Sequence, residues 1–165
     1  MEVLLQQVTN GLAVGGVYAL VALGYTMVYG VLRLINFAHG ELFTLGAYLG
    51  FTFLASSLLG GHLGSGGGLA VLALLVMGLV GISGVLLERA AYRPLREAPR
   101  LSAVVSALGA SIFLQNALML VFGARFQVYP EESLPSGSLS AFGAKVPAMR
   151  VAVVLVSLSL MAALW

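Results

Sequence analysis

Long uncharged apolar stretches, separated by short polar clusters, set the pattern of this chain. A bilayer-spanning helix needs about 20 mostly apolar residues. Five stretches reach or approach that length: Val8 to Leu32, Leu42 to Leu59, Leu69 to Leu87, Leu101 to Phe122, and Val151 to Trp165. The pattern predicts an all-α polytopic membrane protein with about five transmembrane helices in one domain, residues 1–165. The fifth stretch covers only about 22 Å at 1.5 Å per residue, against a hydrocarbon core about 30 Å thick. It reads either as a tilted or interfacial last helix or, the reading preferred, as a truncated one, with the chain an incomplete fragment of a longer polypeptide.

The connections differ in character. Gly60 to Gly68 reads GGHLGSGGG, a flexible turn region. Glu88 to Arg100 reads ERAAYRPLREAPR and is dense with charge. Pro94 disfavours helix at the residue before it, so the third helix is expected to end at Arg93. Gly123 to Arg150 reads as a longer loop containing Pro130, Pro135 and Pro147.

Composition supports lipid as the solvent. The chain is 60% hydrophobic and 8% charged, where soluble domains carry roughly 25% charge. The positive-inside rule places Arg89, Arg93, Arg96 and Arg100 in a cytoplasmic loop together with Glu88, and Arg33 on the same side. Arg125, Lys145 and Arg150 then lie outside, as does the N-terminus. A net charge of +2 with arginines at helix ends is no nucleic-acid footprint. The apolar start is too long, and too poor in early basic residues, for a typical secretory signal.

Chemistry that an enzyme needs is missing. The sequence has no Cys, no phosphate-binding G-x-x-x-x-G-K-[ST] loop, and no Asp for a Ser–His–Asp set. His39 and His62 lack zinc-ligand spacing. The expectation is a non-enzyme with no cofactor and no metal.

Two features remain. The first is a polar knot between the first two spans: Arg33, Asn36, His39 and Glu41. Charge at the edge of hydrocarbon is costly and marks an interface, a path or a partner. His39 and Glu41 do not face each other on a regular helix, and Gly40 between them suggests a bend. Glu41 suits the positive end of a helix dipole, and Asn36 suits a capping role. The knot reads either as an interfacial turn with capping groups or as a broken helix that meets a substrate. The second feature is Tyr18, Tyr25 and Tyr29, which fall on one face of the first helix. They form either a helix–helix interface with satisfied hydroxyls or a polar path. Small-residue ridges at Gly11, Gly15 and Ala19, at Gly46 and Gly50, and at Ser102, Ser106 and Ala110 allow close helix packing, so the spans should form a bundle. From these features alone, a self-contained channel or secondary transporter for a small polar solute, or an anchoring protein, also stands.

The segment YALVALGYTMVYGVLRLINFAHGELFTLGAYLG, followed by LERAAYRPLR and LSAVVSALGASIFLQN, resembles the LivH-type permease family of branched-chain amino-acid ABC importers. The resemblance covers most of residues 8–122. It implies a bacterial inner-membrane, multi-pass permease domain whose family chain continues past Trp165, through further helices and an ATPase-docking loop. It also implies a second related permease subunit, two ATP-binding cassette ATPases and a periplasmic amino-acid-binding protein as partners. Under that resemblance Tyr18, Tyr25 and Tyr29 line the path, Asn36, His39 and Glu41 shape or gate the turn, and Arg89 and Arg93 orient the cytoplasmic end with Glu88 as ion-pair partner.

Overall fold

A computed structural model describes residues 2–33, 35–56, 66–129, 137–141 and 144–164. His62, Pro130, Pro135 and most of the glycine-rich turn lie outside the described residues. The elements are α1 (Glu2–Leu32), α2 (His39–Ala55), α3 (Gly66–Leu87), α4 (Arg100–Phe122), β1 (Ser138–Ala141), β2 (Ala144–Pro147) and α5 (Ala148–Leu164). They divide into two compact units, Met1–Gly24 with Glu131–Trp165, and Tyr25–Pro130.

Among the described residues, three helical stretches are long and apolar enough to cross a bilayer: Gln6–Val31, Gly67–Leu95 and Leu101–Phe122. The second and fifth predicted spans are shorter. Helix α2 has 17 residues, about 25 Å at 1.5 Å per residue. It stops at Ala55 rather than Leu59, because Ser56 turns extended while its amide still reaches the Thr52 carbonyl. Helix α5 also has 17 residues and begins at Ala148, ahead of the predicted Val151. The three long helices present bulky apolar side chains outward: Leu120 is 86% exposed, Leu74 69% and Phe113 71%. A surface of that kind suits lipid or neighbouring apolar helices and is incompatible with water.

The larger unit, Tyr25–Pro130, holds α2, α3 and α4. A Cβ on Gly46 would meet Val80 at 3.4 Å and Val76 at 3.8 Å, and one on Gly84 would meet Leu42 at 3.8 Å. The pairing falls along α3 as it rises along α2, so the two helices pack antiparallel through small residues. Helix α4 runs with α2: Glu41 meets Ser111 at the start, and Tyr48 stacks on Phe122 further along, with centroids 4.8 Å apart. The three helices therefore alternate in direction, as consecutive crossings do.

The end of α3 departs from the prediction. Regular α-helix ends at Leu87, and the helical path continues as a π-turn over Glu88–Tyr92 and a 3₁₀ turn over Arg93–Leu95. Pro94 supplies the reason. Its ring would collide with the carbonyl four residues back in an α-helix, and it has no N–H to donate there. The Arg93 amide instead reaches back to the Glu88 carbonyl, and Ser106 Oγ donates to the Ala91 carbonyl at 2.8 Å.

The smaller unit packs the first part of α1 against α5. A Cβ on Gly16 would meet Ser157 at 3.1 Å, and Ser157 and Ala13 are buried. The close approach in this unit falls on Gly16, while Gly11 and Gly15 have nothing within 4 Å. The two-stranded hairpin ahead of α5 was not anticipated. Its register pairs Ser138 with Pro147 and Ala141 with Ala144, and the Ala148 amide donates to Gly137 just beyond.

Candidate functional site

The site is built around the turn from α1 to α2. Helix α1 closes when the Arg33 amide donates to the Tyr29 carbonyl at 2.8 Å, with Arg33 in the left-handed region at φ +51°. Glycine usually takes that position, because a Cβ there is strained. Three residues on, Asn36 Oδ1 accepts from the Ala38 amide at 3.0 Å, and the Asn36 carbonyl accepts from the His39 amide at 3.1 Å. Asn36 thus ties the turn that launches α2, standing two residues before the capping position held by Ala38. It is 8% exposed. Gly40 lies inside the first turn of α2 and makes no bend. The change of direction comes earlier, between Arg33 and Ala38.

The same Asn36 Oδ1 accepts from the Tyr92 hydroxyl at 2.5 Å. One side chain thereby joins the polar turn to the π-turn at the end of α3. Glu41 sits in the first turn of α2, where the helix dipole favours negative charge, and accepts from Ser111 Oγ on α4 at 3.2 Å. His39 meets Tyr25 edge-on, ring centroids 4.6 Å apart, and the Tyr25 hydroxyl lies 3.7 Å from where a Gly40 Cβ would be. Asn36, His39, Glu41 and Tyr25 therefore belong to one neighbourhood within the larger unit. Tyr29 is exposed, as is Tyr18 in the smaller unit.

Glu41 also lines a cavity of about 500 Å³ between α2, α4 and the segment after α4. Along α2 its wall is Glu41, Thr44, Tyr48 and Phe51, spaced three and four apart on one helix face. Gln115 and Leu118 come from α4, with Arg125, Phe126 and Tyr129 beyond. Tyr129 lies across α2: its hydroxyl donates to the Ala47 carbonyl at 2.7 Å, and it lies 3.2 Å from where a Gly50 Cβ would be. Partial burial pushes the Tyr129 phenol above its usual range, which keeps it a donor at neutral pH. The lining combines one carboxylate, one guanidinium, amides and aromatic faces. It can hold a small solute that is charged at one end and apolar at the other.

A second cavity, of about 540 Å³, lies beside the turn and is lined by Arg33, Asn36, Tyr92 and Arg96 with apolar neighbours. In the charged connection, Glu88 pairs with Arg96 at 2.6 Å; Arg89 and Arg93 had been the expected partners. Arg100 opens α4.

Sequence reasoning did not single out Tyr92 or Ser111 as partners of the knot, nor Gln115, Phe126 and Tyr129 as cavity walls. Tyr92 left a weak signal, a lone aromatic inside a charged connection. Ser111 left none. Among the described residues there is no cluster of three or more His, Cys, Asp or Glu that would hold a metal.

Comparison with known proteins places this arrangement in context. Residues 7–165 match the family described as "Branched-chain amino acid transport system / permease component". The chain is 41% identical over 170 aligned positions to the high-affinity branched-chain amino acid transport system permease protein LivH of Escherichia coli K12. That alignment covers 97% of this chain and 53% of the relative. LivH of Salmonella typhimurium is 39% identical over the same shares. The permease protein BraD of Pseudomonas aeruginosa is 47% identical over 76% of this chain and 41% of its own length. The chain spans about half the length of the curated relatives it matches. No solved structure matches.

Proposed function

The chain belongs to the family of branched-chain amino acid transport permease components, and we propose that it forms part of the membrane-embedded path of an ATP-driven bacterial importer for those amino acids. The observation that carries the reading is the match over residues 7–165 to permeases named for that transport. The polypeptide is a multi-pass membrane protein, and its place in this reading is the bacterial inner membrane. ATP hydrolysis belongs to two separate ATPase subunits. A second related permease completes the path, and a periplasmic binding protein delivers the substrate.

The Glu41 cavity supports this reading in chemical terms. A branched-chain amino acid carries an ammonium, a carboxylate and an apolar side chain. Glu41 offers a carboxylate to the ammonium, and Tyr48, Phe51 and Leu118 offer apolar contact. The contacts are few, and a transport site must release what it binds, so selectivity is left largely to the delivering protein. Tyr25 and His39 meet at the first turn of α2, the turn that carries Glu41. Tyr29 in the larger unit and Tyr18 in the smaller are both exposed, and each is taken separately as a candidate path-lining group.

The test is uptake of labelled leucine by cells that carry the complete transporter, with and without its ATPase subunits. Uptake that needs the ATPases, and falls when Glu41 is replaced by Gln, supports the reading. Flux that persists without the ATPases would indicate a channel or secondary transporter instead.

A further inference from the structure

We propose that the cavity beside the α1–α2 turn holds the phosphate of an anionic membrane phospholipid. Its position gives the first argument. Val31 ends the first long apolar stretch, Leu95 ends the second, and Ala103 stands near the start of the third. All three line the cavity, which therefore lies where three hydrophobic spans give way to polar residues. That is headgroup depth.

The polar lining gives the second argument. Arg33 and Arg96 line the space, and among the described residues no carboxylate does. Asn36 is 8% exposed and also lines it. Its amide orientation is determined, because the Ala38 N–H and the Tyr92 hydroxyl both require an oxygen and both meet Oδ1. Oδ1 is thereby committed, and Nδ2 is the donor arm that Asn36 brings to the cavity lining. A set of donors with no lining acceptor charge selects an anion. Arg33 contributes +1, Arg96 +1, and Glu88, bonded to Arg96, −1, which sums to +1. A phosphodiester carries a single negative charge. Val31, Ile35 and Leu95 then meet the start of the acyl chains. Basic pockets between transmembrane helices at the membrane surface bind anionic headgroups in this way. The left-handed strain at Arg33 is consistent with a position kept for its guanidinium, since glycine would close the helix at lower cost.

The experiment is native mass spectrometry of the protein released from micelles with equal phosphatidylglycerol and phosphatidylcholine of matched chains. Wild type should retain phosphatidylglycerol in clear excess. Arg33→Gly removes the charge and suits the backbone, so its phosphatidylglycerol preference should fall about fivefold without loss of helical content. Arg33→Lys should keep most of the preference, and Arg150→Gln, in the other unit, all of it. Equal retention of the two lipids by wild type would overturn the proposal, as would an unchanged Arg33→Gly variant. Stripping of the lipid by millimolar inorganic phosphate would assign the site to a free anion. Stripping by leucine would assign it to the transported carboxylate. Either result removes the lipid, and the wild-type arms decide the matter even if a variant fails to fold.

Discussion

The Tyr92 hydroxyl donates to Asn36 Oδ1 across 56 residues of sequence, at 2.5 Å and between two buried side chains. The bond joins the π-turn that ends α3 to the turn that begins α2. Both segments carry irregular backbone at the edge of apolar helices, where unmet polar groups are costly. Replacing Tyr92 by Phe keeps the ring and leaves Asn36 bonded to Ala38, so the expected loss is about 0.5–1.5 kcal/mol. Replacing Asn36 by Ala removes both bonds and should cost more, about 2 kcal/mol. Unfolding of purified variants in detergent measures both, and a reversed order would show that Asn36 does not tie the turn.

Glu41 and Ser111 are 70 residues apart in sequence and 3.2 Å apart in space. If Glu41 receives the substrate ammonium, Glu41→Gln should reduce leucine uptake about tenfold, the equivalent of roughly 1.4 kcal/mol. Ser111→Ala should reduce it only a few-fold, because the carboxylate keeps its charge and its place at the helix N-terminus. Initial uptake rates over a range of leucine concentrations separate the two effects. Equal and small losses would place the ammonium elsewhere.

Tyr25 packs on His39 with its hydroxyl over the first turn of α2. Tyr25→Phe should therefore depress uptake more than Phe53→Leu, a change on the same helix as Glu41 but away from that contact. Equal uptake by the two variants would remove Tyr25 from the path.

Packing between α2 and α3 depends on Gly46. Gly46→Leu would drive atoms into Val80 and Val76 and should cost about 1–3 kcal/mol by overpacking. Gly11→Leu meets open space and should be nearly neutral for folding of the chain. Thermal unfolding of the two variants in the same detergent gives the comparison.

The Glu88–Arg96 pair is short, but the Arg96 side chain is 63% exposed and that of Glu88 30%. Exposed pairs of this kind contribute about 0–1 kcal/mol. Glu88→Gln should shift stability by less than that and less again in high salt. A larger, salt-insensitive loss would mean that the pair is buried in the assembled membrane complex.

Much of the architecture was legible in the sequence. Helices α3 and α4 lie within three residues of the predicted spans, while α1 ends at the predicted Leu32 but begins at Glu2, ahead of the predicted Val8. The polar knot was visible as a cluster of costly residues, and Asn36 does tie the turn, although from two residues before the cap. The bend was misplaced onto Gly40. Glycine is permissive of a turn but does not require one, and the irregular backbone uses Arg33 instead. The end of the third helix was assigned from Pro94, which does break the α-helix. It acts through the carbonyl four residues earlier, so regular α-structure stops upstream and helical turns of other pitch carry the chain past it.

The sequence by itself determined that this protein lives in lipid, and roughly where each span begins and ends. The reason is local: the length of an apolar run is compared with the thickness of a bilayer, and no distant residue enters that comparison. Which residues meet was decided only by tertiary structure. Helices that are apolar all round carry little information about which face turns inward. The partners of Asn36, Glu41 and Gly46 are therefore set by how α2, α3 and α4 pack, with small residues allowing close approach and buried polar groups taking whichever donor that approach brings near.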